Sequence, residues 1–326
     1  MLFLRNNGEF LMPQTTGERF KRFWKDIISQ PQLQLMAMVG VIFLFLFHYL
    51  PMFGLIFAFK DVDYAVDVMG ALKTGDWVGF DYFIEFVTDR NFGNIMMNTI
   101  VLSFLQLIIT MPCSLLFALI LSEIRSPSLK SGIQVVSFFP NFVSWIVYGS
   151  IIISMLSVDT GVVNHLLMKL GIISQPTMFL EDPDKFYGIM VVSNLMKNVG
   201  WGSVIYMSAI STIDGSLYEA AKIDGANRVQ RILHITIPSI IAMIFVNLIF
   251  NLSQVLNSDF AQIWMFQRPL NLSRSEVLDI YIAKTGFNSM RYSYVTAVGV
   301  FKGVIGTLLL VFGNKISSKL LGRRLF

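Results

Sequence analysis

The chain has 326 residues, 54% of them hydrophobic and 14% charged, against roughly 25% charged in soluble domains. That much apolar surface exceeds what one compact core can hide, which excludes an ordinary soluble protein and points to lipid as the solvent. Cys113 is the only cysteine, which excludes an intrachain disulfide, and the net charge of +4 reflects where the charges lie rather than nucleic-acid binding.

In chain order, the first patterned segment is ERFKRFWKDIIS. Phe20, Phe23, Trp24, Ile27 and Ile28 recur at helical spacing, with Arg19, Lys21, Arg22, Lys25 and Asp26 elsewhere on the wheel. This fits a helix lying on the inner membrane surface, or an amphipathic helix packed on the chain's own loops. Its interleaved charges do not fit a cleavable signal peptide.

Six apolar spans follow, at about 33–57, 95–121, 133–156, 188–211, 238–257 and 294–316, each near the roughly 20 helical residues that cross a bilayer core. Pro112 and Pro140 fall inside the second and third and predict kinks. With the N-terminus inside, the inner segments and Lys315 hold 14 Lys/Arg and 7 Asp/Glu, and the outer loops hold 9 and 14. That bias puts both termini in the cytoplasm. The expected architecture is an all-α integral membrane protein. Residues 1–32 form a cytoplasmic N-terminal segment, 33–316 the six-span domain, and 317–326 a basic tail. The outer loops are too short for a separate domain. Their acidic excess fits docking of an extracytoplasmic protein or simply a solvated surface.

None of the 21 acidic residues falls in a span, whereas ion-coupled carriers usually need intramembrane carboxylates. There is no GxxxxGK[ST] to hold ATP. His48, His165 and His234 lack metal-ligand spacing. Gly299, Gly303 and Gly306 in GVFKGVIG are spaced for close helix packing. No catalytic constellation and no bound cofactor is expected.

Polar residues inside spans are costly unless they face the bundle interior. On span five, Asn247, Asn251, Gln254 and Ser258 form one narrow stripe. On span four, Asn194, Lys197, Asn198 and Trp201 share an arc of about 100°. On span three, Trp145 and Tyr148 lie near Asn141 and Ser144. Amides and aromatic faces suit sugar hydroxyls and ring faces, and they equally suit hydrogen bonding between helices. Lys197 needs water, a partner or an anion, since a mid-span lysine costs on the order of 2.5–3.5 kcal/mol on insertion scales. It is either a contact for an acidic sugar or a structural group. Lys302 either snorkels or faces the lumen.

Between spans four and five stands LYEAAKIDGANRVQRILHITIP, Leu217 to Pro238. Asp214 is placed to cap a helix through Glu219, Ala220, Ala221 and Lys222. Gly225 permits a sharp turn, and a second helical run covers Ala226 to His234. The result is an elbow, at 213–237, that either docks into a groove on another protein or stands as a solvated loop helix.

These residues resemble the EAA loop of permease subunits in bacterial binding-protein-dependent ABC importers. The family pattern is EAA, three residues, Gly, nine residues, I-x-L-P. Here it reads Glu219-Ala220-Ala221, Gly225, Ile235, Ile237-Pro238, with Ile in place of Leu before the proline. The wording LYEAA…DGA and SYVTAVGVFKGVIG is similar to the carbohydrate branch, especially permeases for large oligosaccharides and alginate. The resemblance implies that the elbow is the coupling helix for a cytoplasmic ATPase, with Glu219, Ala220, Ala221, Asp224 and Gly225 as its contact. It implies a second, similar permease subunit and two ATP-binding cassette subunits that use ATP and Mg. It also implies an extracytoplasmic solute-binding protein and an oligosaccharide substrate, with acidic sugars as one option. A non-sugar solute is the alternative; an ion-coupled carrier or membrane enzyme is disfavoured by the missing intramembrane acids and by the loop itself.

Overall fold

The computed structural model describes residues 29–65 and 67–321. The amphipathic segment expected at Phe20–Ile28 lies outside the described residues, as do Arg323 and Arg324 of the basic tail. The described residues are helical, with one isolated bridge between Lys60 and Trp77. The chain divides into two units, one ending at Ile56 and one beginning at Phe57.

The first long helix, α1 (Pro31–Phe59), is apolar throughout. Pro31 opens it, at a position where a missing N–H costs nothing. Leu35, Met36, Val39 and Phe43 are exposed, as expected of side chains meant for lipid. Phe45–Tyr49 forms a π-turn just before Pro51, a local widening that eases a helix past a ring with no N–H.

The second unit contains α2 (Val68–Thr74), α3 (Asp81–Thr88), α4 (Phe92–Ser122), α5 (Pro127–Phe142), α6 (Trp145–Met155), α7 (Val162–Lys169), α8 (Pro183–Ser211), α9 (Gly215–Ile223), α10 (Arg228–Ser253), α11 (Phe260–Phe266), α12 (Leu278–Ser289) and α13 (Tyr292–Leu321). α8 packs along α4 and α5, and α10 pairs with α13. Two apolar clusters stabilise these pairings. Leu102, Phe186, Met190, Ile263 and Phe266 join α4, α8 and α11. Phe86, Ile95, Leu278, Tyr294 and Val298 join α3, α4, α12 and α13.

The segment after Phe57 is sealed to the start of α13. Arg291 donates to both Glu85 oxygens at 2.6 and 2.8 Å, reaches Asp63 at 3.3 Å and lies 4.2 Å from the Tyr294 ring centroid. The Asp63 carboxylate also accepts the Ser293 N–H at 2.7 Å.

By length and apolarity, α1, α4, α10 and Tyr292–Ile316 qualify as membrane spans, and α5 with α6 make a fifth if counted as one. The expected kink at Pro140 is a break. α5 ends at Phe142, α6 starts at Trp145, and the two meet at 98°. Pro140 itself stays within α5, and the turn comes at Val143 and Ser144, where Ser144 caps α6 by accepting from Val147. α8 has 29 residues, about 43 Å of helix, but Asn194, Lys197 and Asn198 make it less apolar than the others. Pro112 lies inside an unbroken α4, which leaves the Ile108 carbonyl without its usual donor.

Gly200 shows how tightly α8 meets α5. A Cβ there would sit 2.2 Å from the Ser137 carbonyl oxygen, and small residues are what allow such approach between membrane helices. Gly200→Ala is expected to destabilise the protein by about 1–3 kcal/mol through forced backbone shifts. A thermal-unfolding midpoint in mild detergent equal to wild type would contradict this.

Candidate functional site

α4, α8 and α10 line an open-sided cavity of about 330 Å³. Asn194, Asn198 and Trp201 reach it from α8, and Asn247, Asn251 and Gln254 from α10 and its C-terminal end. Both polar stripes therefore converge on one space. The third wall was not anticipated: Ser103, Gln106, Thr110 and Ser114 of α4. Their spacing of 3, 4 and 4 residues puts them on one helical face, so the signal was present in the sequence.

The lining groups are amides and hydroxyls, cross-linked by hydrogen bonds. Thr110 Oγ1 donates to Asn194 Oδ1 at 3.3 Å. Asn141 donates to Asn198 at 2.8 Å. Asn247 donates to the Tyr206 hydroxyl at 2.7 Å, and Asn251 to Asn247 Oδ1 at 2.9 Å. Ser114 is 2% exposed, and its Oγ has no hydrogen-bond partner among the described residues. Trp201 is 53% exposed, so much of its indole remains uncovered. Amides and hydroxyls both donate and accept, which matches the hydroxyls of a sugar, and an indole face matches the apolar side of a sugar ring.

Four residues of the expected pathway do not line this cavity. Lys197 is 4% exposed. Its ammonium donates to the carbonyls of Pro140, Asn141 and Val143 and lies 5.3 and 5.4 Å from the ring centroids of Trp145 and Tyr148. These carbonyls belong to the last turn of α5 and the break beyond it. A helix end leaves carbonyls without partners, and a cation there also suits the helix dipole. Lys197 is thus the cap of a broken helix more than 50 residues away in sequence, and Trp145 and Tyr148 enclose it. Trp145 Nε1 also donates to Asp259, and the Tyr148 hydroxyl to the Ser193 carbonyl at 3.3 Å. Ser258 donates its backbone N–H to Asp279 at 2.7 Å.

At another place in the fold stands the elbow. Asp214 caps α9 by accepting the Ser216 N–H at 2.9 Å, and that bond holds its carboxyl below the usual carboxylate range. Gly225 has φ +80°, a left-handed conformation that glycine adopts without strain. The second arm begins at Arg228 rather than Ala226. Asn227 and Gln230 form a reciprocal capping box, and Ile232–Thr236 makes a π-turn before Pro238. Glu219, Ala220 and Asp224 are exposed, and Ala221 is half-buried. Ile223 is 87% exposed, with Leu217 and Val229 also uncovered, an apolar surface of the kind that marks a docking site. The elbow is tied to the end of α4, where Glu123 lies 3.5 Å from Arg231 and 3.9 Å from Arg228.

A family model described as "binding-protein-dependent transport system inner membrane component" matches residues 91–325. Protein LplB of Bacillus subtilis is 39% identical over 287 residues, 88% of either chain. The polygalacturonan/rhamnogalacturonan transport system permease protein YteP of the same organism is 34% identical, over 93% of this chain and 92% of its own. Among solved structures, a bacterial ABC transporter involved in the import of the acidic polysaccharide alginate aligns with a TM-score of 0.82 and 33% identity, covering 92% of this chain and 99% of that one. A bacterial alginate ABC transporter in complex with an alginate pentasaccharide-bound periplasmic protein aligns with a TM-score of 0.83 and 32% identity, over 93% and 100%.

Proposed function

The chain belongs to the family of binding-protein-dependent transport system inner membrane components, and from that premise we propose how it works as a permease subunit of an ATP-driven importer of oligosaccharides. It is a non-catalytic subunit. In this reading six spans cross the bacterial inner membrane with both termini in the cytoplasm, α5 and α6 together forming one of them and α8 another. The loop-charge bias supports that orientation.

One six-span chain encloses half of a pathway, so a second, similar permease subunit completes it. Two ATPase subunits, which bind ATP and Mg, engage the elbow through Glu219 and its neighbours. An extracytoplasmic binding protein delivers the sugar; the alginate transporter solved with its periplasmic protein supports such a partner. The acidic polysaccharides named for YteP and for the alginate transporters make uronate oligomers the first substrates to test.

The observation that carries the reading is the convergence of the two amide stripes on one cavity. Binding protein and ATP hydrolysis drive the cycle, and the amides hold sugar hydroxyls during passage. Asn251→Leu is expected to lower uptake of oligosaccharides about tenfold, the worth of one or two hydrogen bonds, while basal ATP hydrolysis by the complex is retained. Uptake equal to wild type would remove this cavity from the pathway.

A further inference from the structure

A second cavity, of about 570 Å³, lies between the C-terminal end of α10, α12 and α13. It shares Gln254 and Asn257 with the amide cavity, so the two abut. Its wall carries an ion pair that the first cavity lacks, Lys302 of α13 with Asp279 of α12. Both side chains are partly exposed, at 17% and 18%. The Lys302 ammonium has three donors, and among the described residues its one hydrogen bond is to Asp279 Oδ1. Asp279 Oδ2 is held by the Ser258 N–H at 2.7 Å. A Cβ added at Gly299 or Gly303, which flank Lys302 on α13, would meet nothing within 4 Å. These glycines therefore leave room rather than close a packing contact within this chain.

We propose that this cavity is a second sugar subsite, continuous with the first, in which the Lys302–Asp279 pair binds vicinal hydroxyls of a neighbouring sugar unit. The inference rests on the permease reading. The chemistry follows from the pair. An ammonium with donors to spare stands beside a carboxylate with free lone pairs, so one hydroxyl can accept from Lys302 while the next donates to Asp279. The pair is neutral overall. It therefore reads hydroxyls and chain length rather than substrate charge. Lys197, with carbonyls around its ammonium, has no such capacity.

The test is uptake by the whole transporter, reconstituted in proteoliposomes with its ATPases and binding protein. The probes are oligogalacturonates from dimer to pentamer and their carboxyl-reduced counterparts. Lys302→Met removes the donor. Gly303→Leu narrows the cavity while keeping both members of the pair, so it remains informative where Lys302→Met fails to fold. Both variants are expected to raise KM for the tetramer and pentamer about tenfold relative to wild type, the worth of hydrogen bonds to a charged group. Dimer uptake should change less than about twofold in either series, on the same scale. If Gly303→Leu alters all lengths alike, or none, while Asn251→Leu still impairs uptake, the second subsite is overturned and the permease reading stands. If the wild-type complex takes up neither series, galacturonate-type chains are not its substrate and the subsite proposed for their hydroxyls is overturned, while the permease reading stands.

Discussion

Lys197→Met is expected to destabilise the protein by about 3–5 kcal/mol, and the magnitudes decide the sign. Hydrogen bonds to a charged group contribute about 1.5–3 kcal/mol each, and Lys197 makes three, to Pro140, Asn141 and Val143. Contacts with the Trp145 and Tyr148 faces add roughly 0.5–2 kcal/mol. Against this, removing a cation from mid-span returns about 2.5–3.5 kcal/mol. The loss outweighs the gain, because the variant takes the Lys197 donor from the Asn141 and Val143 carbonyls at the α5–α6 break, while the Pro140 carbonyl keeps the Val143 N–H at 3.3 Å. The measurement is thermal stability of the detergent-purified complex. Lys197→Arg should recover only part of the loss, since a planar guanidinium fork fits converging carbonyls less well than an ammonium does. A Lys197→Met protein of wild-type stability that fails only on acidic oligosaccharides would overturn the capping account and make Lys197 a substrate contact.

Glu219→Lys is expected to reduce uptake about 100-fold: the family resemblance implies a basic residue of the ATPase opposite Glu219, and like charges brought together at an interface cost several kcal/mol, each 1.4 kcal/mol being tenfold. Glu219 is exposed on α9, and among the described residues it makes no hydrogen bond or ion pair. The substitution is therefore expected to leave the chain's own fold intact and to weaken only the proposed contact with the ATPase. Co-purification of the ATPase subunits and substrate-stimulated ATP hydrolysis are the readouts, with the thermal midpoint of the permease chain as control. Wild-type assembly and stimulation would remove Glu219 from the coupling contact.

The elements that were legible in the sequence are those fixed by local chemistry. The Asp214 cap and the Gly225 turn needed only their neighbours, and they stand in the structure at the expected positions. The stripe Asn247–Asn251–Gln254 needed only helical periodicity. The α5–α6 break was read as a kink because its stabilising group, Lys197, lies on another helix, and no periodicity links a lysine to distant carbonyls. The α4 wall was missed for a different reason. Ser103, Gln106, Thr110 and Ser114 are spread thinly along a strongly apolar run, and hydroxyls and one amide do not announce themselves as a lysine does. The Lys302–Asp279 pair was hidden because Asp279 stood in what read as an outer loop and is in fact at the start of a helix, α12.

Pro112 divides α4 into two lengths with different attachments. Beyond it, the short C-terminal length runs to Glu123 and is fastened to the elbow by Arg228 and Arg231. Before it, the longer length carries Ser103, Gln106 and Thr110 of the cavity wall. With the Ile108 carbonyl short of its usual donor, Pro112 is where α4 bends at least cost. Ser103 lies nine residues from it, about 14 Å along the axis, so a bend of about 10° there carries Ser103 through roughly 2.4 Å while Ser114, on the near side, keeps its place relative to the elbow. A pull on the elbow would therefore reach the cavity wall only as far as α4 stays stiff at Pro112.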